Sequence, residues 1–270
     1  MTRFLHVSDL HLTAPEADDP HQYADTATVL ERMIDMANAI QPRPDFVVAS
    51  GDLTNIGDPA SYRMLADRMA RLELPVLYAL GNHDSRDGFF ATFPDHPAGP
   101  EGTLDHDAVI GGLHVVVLDS LTSGQVSGSL SPAQLDHAAT MLARHPDLPK
   151  LVVIHHPPRL DPEAPYVWES LDADSTARLG DLLAGHDVRA VLSGHIHTNR
   201  VVLWNGIPVV TVIGQQSGVD ETRETGMTIV EDGSFAIGDL LPAGLQITFS
   251  SLAPRPVIRE LPDERLRGFS

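Results

Sequence analysis

The chain has 270 residues, enough for one large domain with a substantial buried core. It contains no cysteine, which excludes disulfides and thiolate-bound metals, so any metal must be held by nitrogen and oxygen atoms. Its formal net charge of −19, from 37 acidic and 18 basic residues, argues against the clustered basic surface that nucleic acid binding requires.

The sequence also gives no sign of membrane insertion or export. No uninterrupted apolar run approaches the length of a membrane span, and no signal-peptide pattern precedes the first predicted strand. We therefore expect a cytoplasmic protein that binds neither nucleic acid nor a membrane.

In the first half of the chain, short apolar runs alternate with helix-like segments, which is the pattern of βαβ units. The predicted elements, in chain order, are a strand Phe4–Val7, a helix Tyr23–Ile40 stopped by Pro42 and Pro44, a strand Phe46–Ala49, a helix from Asp58 to Leu72, and a strand Val76–Leu80. A loop rich in Pro and Gly over residues 94–102 then leads into a hairpin, Leu104–Ile110 and Leu113–Leu118, turned by Gly111 and Gly112.

The second half continues with a helix, a strand, a long connection, a helix and a strand: Ser131–Ala143, Leu151–Ile154, Pro157–Asp174, Ser175–Ala184 and Ala190–Leu192. From Arg200 the pattern changes to short alternating strands: Val201–Trp204, Ile207–Val212, Thr225–Val230, Phe235–Leu240 and Leu245–Phe249. We expect these strands to form a second, largely antiparallel sheet that completes a sandwich. The pattern indicates a domain over residues 1–250 and an extended tail over residues 251–270, packed on the surface or on a second subunit.

Five polar blocks each follow one of the apolar strands. They are Asp9-Leu10-His11, Gly51-Asp52, Gly81-Asn82-His83-Asp84, His155-His156-Pro157-Pro158 and Gly194-His195-Ile196-His197. Because loops at the carboxyl ends of the strands in such sheets converge on one edge, we expect the blocks to form one site.

The blocks contain the side chains that two metal ions need. Asp9 and His11 are one residue apart at a strand end, so both can face the same side and chelate one ion, and His195 and His197 repeat this spacing. Asp52 is the natural bridge, because a carboxylate can give one oxygen to each of two ions.

The remaining residues of the third block suit the chemistry of a phosphoryl group. Asn82 offers a neutral oxygen ligand. Two ions about 3.5–4 Å apart would turn a bound water into hydroxide and neutralise charge on an in-line phosphoryl transition state. His83 is placed to contact a phosphate oxygen or to protonate the leaving alkoxide.

In these residues the chain resembles the calcineurin-like metallophosphoesterase superfamily, whose motifs occur in the order D-x-H, G-D, G-N-H-[DE], H and G-H-x-H. The resemblance extends from Asp9 to His197. It implies a four-layer α/β/β/α sandwich of two mixed sheets flanked by helices, with a dinuclear metal site. The first ion would be held by Asp9, His11, Asp52 and His197, and the second by Asp52, Asn82, His155 and His195.

The resemblance also implies roles within this site. It implies that His83 and Asp52 act in catalysis and that Asn82, His83 and His197 contact the substrate. In the fourth block it favours His155 over His156, because the family's ligand is the first residue after the strand. Mn, Fe, Zn and Co all accept nitrogen and oxygen ligands, and Mn and Fe are favoured.

The His-His-Pro-Pro block and the compact size look most like the bacterial class III cyclic nucleotide phosphodiesterases and their glycerophosphodiesterase relatives. This resemblance implies hydrolysis of small-molecule phosphodiesters, most of all 3′,5′-cyclic nucleotides such as cAMP. A glycerophosphodiester or broad-specificity phosphodiesterase is the alternative, and a non-catalytic scaffold, which would lack ligands, is a remote one. Purple acid phosphatases carry a tyrosine three residues after the bridging aspartate, where this chain has Asn55.

Predictions about substrate recognition and assembly rest on fewer residues. Tyr166 and Trp168 lie in the long connection, where one could stack on a nucleobase, or both could pack against the sheet or a partner. Arg200 could meet the substrate phosphate or form a surface salt bridge. Because dimers are common among the relatives, we expect a homodimer that uses the C-terminal strands and the tail.

Overall fold

The computed structural model describes residues 1–17, 19, 22, 24–163, 168–222 and 226–267. The elements, in chain order, are β1 (Thr2–Val7), α1 (Thr26–Ala39), β2 (Phe46–Ala49), α2 (Pro59–Met69), β3 (Val76–Tyr78), α3 (Arg86–Thr92), β4 (His106–Ile110), β5 (Leu113–Leu118), α4 (Pro132–Ala143), β6 (Lys150–Ile154), α5 (Ala173–Leu183), β7 (Val188–Ser193), β8 (Arg200–Trp204), β9 (Ile207–Thr211), β10 (Gly218–Val219), β11 (Ile229–Val230), β12 (Ser234–Leu241), β13 (Gly244–Ser251) and α6 (Asp263–Leu266).

Two sheets form the centre of the fold. The first has the strand order β13-β12-β1-β2-β3 and the second has the order β4-β5-β6-β7-β9-β8. Strands β1, β2 and β3 run parallel to one another, as do β5, β6, β7 and β9. Their carboxyl ends therefore lie at one edge of each sheet.

Three apolar layers hold the sheets and helices together. Buried side chains of both sheets, including Phe4, Phe46, Val115 and Val153, meet between the sheets. A second layer joins the first sheet to α1, α2 and α3, and a third joins the second sheet to α4 and α5. The expected four-layer α/β/β/α sandwich is thus confirmed.

Side-chain caps explain where several helices begin. Asp58 accepts hydrogen bonds from the backbone N–H groups of Ala60 and Ser61 at the start of α2, and Pro59 occupies the first turn. At α4, Ser131 and Gln134 form a reciprocal capping box. The predicted start of this helix at Ser131 is therefore confirmed.

The expectation that the strands after Arg200 form a separate sheet is wrong. β9 adds to the second sheet parallel to β7, and β8 pairs with β9. β12 pairs antiparallel with β1 in the first sheet, and β13 follows it. Alternation of apolar and polar residues predicts that a segment is a strand and which of its faces is buried. Where that strand pairs depends on which edges, here those of β1 and β7, are left free by the other strands.

Smaller differences concern element ends. β3 ends at Tyr78 rather than Leu80, α2 ends at Met69 rather than Leu72, and the seven-residue α3 was not predicted. None of the helices in the described part of the chain has the length and apolar character that a membrane span requires.

Candidate metal centre

The five polar blocks meet at the carboxyl edge of the sheets, where hydrogen bonds tie the loops to one another. The backbone N–H of Asp9 donates to Gly51 O at 3.0 Å, and that of His11 donates to Asp52 O at 2.9 Å. The backbone N–H of His195 donates to Asp9 Oδ1 at 3.0 Å. The predicted convergence of the blocks is confirmed.

Five of the seven predicted ligands have a left-handed backbone. The φ angles are 51° at Asp9, 42° at His11, 49° at Asp52, 72° at His195 and 48° at His197. Residues with a Cβ rarely adopt this conformation, which costs about 1–2 kcal/mol each. Backbone strain of this kind clusters at functional sites, so the backbone alone marks this edge of the sheets.

One group of ligand atoms consists of a carboxylate oxygen from Asp9, a carboxylate oxygen from Asp52, and the Nε2 atoms of His11 and His197. His11 Nε2 lies 3.2 Å from His197 Nε2 and 3.6 Å from Asp52 Oδ2. His197 Nε2 lies 3.4 Å from Asp9 Oδ1. Metal–ligand bonds of about 2.0–2.2 Å place neighbouring ligand atoms about 3.0–3.6 Å apart, so these separations suit a single ion.

The tautomers of the two histidines in this group also require a cation. His11 donates its Nδ1–H to Asn55 Oδ1 at 2.7 Å, and His197 donates its Nδ1–H to Ser217 O at 2.8 Å. In the neutral rings both Nε2 atoms therefore carry lone pairs, and these face each other beside two carboxylates. A divalent ion between the four atoms removes that repulsion, and such outer hydrogen bonds are usual for metal-bound histidines.

A second group of potential ligand atoms lies on the other side of Asp52. His155 Nε2 is 3.3 Å from Asp52 Oδ2, and the rings of His155 and His195 are 5.2 Å apart. His195 donates Nε2–H to Trp168 O at 2.5 Å, which leaves its Nδ1 lone pair for a ligand. Among the described residues, the buried atoms Asn82 Oδ1 and His155 Nε2 have no hydrogen-bond partner.

Asp52 and His155 shift each other's pKa in this second group. Burial alone would lower the pKa of His155, but the Asp52 carboxylate raises it to about 9. Burial would likewise raise the pKa of Asp52, but His155 and His11 hold it well below its usual range. Because a metal ligand must be deprotonated, metal binding at His155 would be coupled to release of a proton.

Two glycines beside the predicted ligands leave room for the ring of His155. At Gly51, where φ is 113°, an added Cβ would lie 2.5 Å from the Nδ1 atom of His155. At Gly81 an added Cβ would lie 2.6 Å from Nε2 of the same ring. Both distances are shorter than any normal contact, so the second and third loops approach His155 of the fourth only because glycine has no side chain.

The two histidines of the fourth block differ in their surroundings. His156 donates Nε2–H to Val126 O at 3.0 Å, and its Nδ1 lies 2.7 Å from the Ser120 hydroxyl. Both of its nitrogens are therefore engaged. His155 donates only Nδ1–H, to Ser50 O at 3.0 Å, and its Nε2 faces Asp52, which favours His155 as the ligand.

Two residues that the sequence did not mark support the site. Asn55 accepts from His11 through Oδ1 and from His83 Nδ1 through its backbone oxygen, at 2.7 Å each. Asp84 accepts from the backbone N–H groups of Leu53 and Thr54 and of a third loop residue at 3.0–3.1 Å, so its carboxylate ties two loops together. Only their positions in the sequence could have indicated them: Asn55 lies three residues after Asp52, and Asp84 is the last residue of the third block.

A cavity of about 450 Å³ opens above the ligands. Trp168 lines it with its ring 6.0 Å from that of His195. Arg200 does not line this cavity but belongs to a neighbouring one. Tyr166 lies outside the described residues. Another potential ligand cluster, Asp107, His114 and His145, lies at the opposite edge of the second sheet.

Comparison with known proteins agrees with this geometry. The sequence profile of the calcineurin-like phosphoesterases matches residues 2–199. The chain belongs to the calcineurin-like phosphoesterase family. The family and the relatives described next identify the chain as a phosphoesterase.

Two sequence relatives and one solved structure are similar to the chain over most of its length. A cAMP/cGMP dual specificity phosphodiesterase of Mycobacterium tuberculosis is 32% identical, covering 85% of this chain and 72% of the relative. A 3′,5′-cyclic adenosine monophosphate phosphodiesterase of Escherichia coli is 30% identical, covering 76% of this chain and 72% of the relative. The structure of a purple acid phosphatase from yellow lupin has a TM-score of 0.67 at 14% identity, covering 93% of this chain and 51% of that chain. At that identity the likeness concerns the fold alone.

Proposed function

We propose that the protein hydrolyses small-molecule phosphodiesters, with 3′,5′-cyclic nucleotides such as cAMP as favoured substrates, at a site that binds two divalent metal ions. One observation carries the proposal. Asp52 Oδ2 lies 3.6 Å from Nε2 of His11 and 3.3 Å from Nε2 of His155, between the two groups of ligand atoms. A carboxylate in this position can bind both ions.

By the family resemblance, the ligands would divide between the two groups. The first ion would be held by Asp9, His11, Asp52 and His197, and the second by Asp52, Asn82, His155 and His195. Nitrogen and oxygen ligands of this kind accept Mn, Fe, Zn or Co, of which Mn and Fe stay the predicted pair. When bound, the two ions supply an acidified water and positive charge that stabilises the phosphoryl transition state.

The chain itself positions the acid that the leaving group needs. The backbone N–H of His83 donates to Asp52 Oδ1 at 2.9 Å, which fixes His83 beside the bridging carboxylate. Because the His83 Nδ1–H donates to Asn55 O, its Nε2 is left for the cavity that this residue lines. As an imidazolium, His83 would donate the Nε2 proton to the leaving alkoxide.

The preference for cyclic nucleotides rests on the similar proteins and on the size of the cavity. Both sequence relatives are named for hydrolysis of cyclic nucleotides, and about 450 Å³ is enough for a ligand of that size. Contacts of Asn82, His83 and His197 with the phosphate would place one ester oxygen opposite the attacking water. The products would be nucleoside 5′-phosphates or 3′-phosphates.

Two features of the proposal concern the cell and the assembly rather than the site. A cytoplasmic location and a homodimer that uses the C-terminal strands and tail stay predictions. Sedimentation velocity on the full chain would test the dimer, and a purely monomeric boundary at micromolar concentration would contradict it.

The proposal is tested by hydrolysis rates of the metal-reconstituted protein on cAMP, glycerophosphocholine, bis(p-nitrophenyl) phosphate and p-nitrophenyl phosphate. Asp52→Ala serves as the inactive control, and His137→Ala, on α4, as the matched control for a histidine outside the site. The highest kcat/KM on cAMP would support the proposal. Fast turnover of glycerophosphocholine alone would favour the glycerophosphodiesterase, and no metal-dependent turnover would favour a scaffold.

A further inference from the structure

Four apolar side chains surround the mouth of the cavity, and we call them the apolar rim: Ile56, Val126, Met227 and Ile229. Their exposed fractions are 47%, 52%, 52% and 51%, and all four line the cavity above the ligands. Half-exposed apolar side chains gathered at one opening are typical of a binding surface. The proposed ligand set and His83 do not account for them.

Hydrogen bonds to the site histidines fix two members of the rim. Val126 accepts from His156 Nε2 through its own backbone oxygen at 3.0 Å. Ile56 follows Asn55, whose backbone oxygen accepts from His83 Nδ1 at 2.7 Å. The positions of both apolar side chains are therefore set relative to the phosphate end of the cavity.

The β10–β11 ribbon carries the other two members. The backbone N–H of Val219 donates to His197 O at 3.2 Å, which attaches the ribbon to a predicted ligand. Val219 and Ile229 are directly opposite in the antiparallel pair, so they share a face, and both line the cavity. Met227, two residues before Ile229, also lines the cavity.

We propose that the apolar rim binds the flat face of the organic group esterified to the phosphate, without reading the hydrogen-bonding edge of that group. The proposal rests on the proposed function, in which this group is the base of a cyclic nucleotide. Aliphatic and methionine side chains contact ring faces but offer no strong hydrogen-bonding group to a base edge. The four rim residues are therefore specificity-determining residues that select for a ring and are indifferent to its identity.

Three polar side chains that line the cavity outside the proposed ligand set, those of Asp19, Asn55 and Gln216, already have partners within the protein. Asn55 donates Nδ2–H to Asp19 Oδ2 at 2.5 Å, and Thr13 donates to the same oxygen at 3.2 Å. Gln216, between the ribbon and the ligands, is likewise engaged. The rim, together with Trp168, therefore supplies apolar surface that a base can meet.

A glycerophosphodiester gives the rim much less to bind. Its organic groups are short, flexible and rich in hydroxyl or charged groups, so burying them against Met227 and Ile229 gains little apolar contact. Truncating the rim should therefore raise KM for substrates with a ring and leave KM for glycerophosphocholine unchanged. A rise in KM at unchanged kcat indicates that the lost contact stabilised the ground state and the transition state equally.

The experiment measures kcat and KM of the metal-loaded full chain on the cyclic 3′,5′-monophosphates of adenine, guanine, cytosine and uracil, and on bis(p-nitrophenyl) phosphate and glycerophosphocholine. The variants are Met227→Ala and Ile229→Ala, and the matched control is Leu203→Ala, a 74% exposed leucine on β8 outside this cavity. Metal content of each variant is measured alongside.

We expect kcat/KM for the four cyclic nucleotides to agree within about tenfold. Each rim variant should raise KM about five- to tenfold for every cyclic nucleotide and for the aryl diester, at nearly constant kcat. Leu203→Ala should match the wild type. A preference of a hundredfold or more for one purine over the other, or a KM that the rim variants leave unchanged, would overturn the proposal while the proposed function stands.

The proposed function can also fail by itself. If no cyclic nucleotide is hydrolysed but the rim variants raise KM for the aryl diester and not for glycerophosphocholine, the rim binds rings and the natural ring is another one. If the rim variants raise KM equally for glycerophosphocholine, the rim does not select for a ring, and the inference is wrong.

Discussion

Replacing Asn55 by alanine should weaken metal binding at the group formed by Asp9, His11, Asp52 and His197 without removing any ligand. Asn55 Oδ1 accepts the His11 Nδ1–H at 2.7 Å, and the two residues are only 5% and 2% exposed. The substitution leaves a buried N–H without its acceptor, which costs about 1–3 kcal/mol. Loss of such a partner typically lowers metal affinity about 10–100-fold.

The assay is competition of the apoprotein with a chromogenic chelator, which reports the affinity of each ion separately. In Asn55→Ala the first ion should bind about 10–100-fold more weakly. Binding of the second ion should change less than threefold, because the Asn55 side chain bonds to His11 and Asp19 and to none of that ion's ligands. His83 itself stays fixed, since it bonds to the Asn55 backbone oxygen. Activity should return at high metal concentration.

The matched control is Asn38→Ala on α1, whose side chain donates to Arg71 O at the surface; it should bind both ions as the wild type does. The reasoning would be refuted by an unchanged first affinity in Asn55→Ala, or by an equal loss at both sites, which would indicate a general disturbance of the loops.

Three further predictions concern single residues. His155→Gln should retain one of two ions and His156→Gln both, measured as metal content after reconstitution; the reverse would identify His156 as the ligand. Asp84→Ala should lower the free energy of unfolding of the apoprotein in urea by about 3 kcal/mol, because three buried N–H groups lose their acceptor, and a loss below about 1 kcal/mol would contradict this. Burial lowers the pKa of His6 to about 3 from 6.5. The neutral ring therefore contributes fully to the free energy of unfolding above pH 6.5, and this contribution is lost as the pH falls toward 3. Between pH 7 and 5 the free energy of unfolding of the apoprotein should therefore fall by about 2 kcal/mol more than that of His6→Gln. Equal decreases in the two proteins would show that His6 does not titrate this way.

The sequence was informative where chemistry and local pattern coincide. Each polar block follows a short apolar run, and a strand end fixes where the next side chains point, so the convergence of Asp9, Asp52 and His195 followed from parallel strands. The four-layer fold came from the resemblance carried by the same blocks. Neither conclusion needed a contact between distant residues to be known beforehand.

The errors arose where partners far apart in sequence decide the structure. The alternation in Phe235–Leu240 predicts a strand but contains nothing that says it will pair with β1, more than 200 residues earlier. Asn55 and Asp84 were overlooked for a related reason. They act through hydrogen bonds to His11, His83 and loop backbone, and an isolated Asn or Asp in a loop is ordinarily a turn residue.

The left-handed backbone at five predicted ligands has a consequence for engineering. Together these conformations cost about 5–10 kcal/mol, which is comparable with the whole net stability of an ordinary domain. Glycine accepts the same φ without that cost, but at His11 or His197 it would also remove the ring and its hydrogen bond to Asn55 or Ser217. The strain and the ligands therefore belong to the same residues, so any substitution that relieves the strain there also removes a ligand.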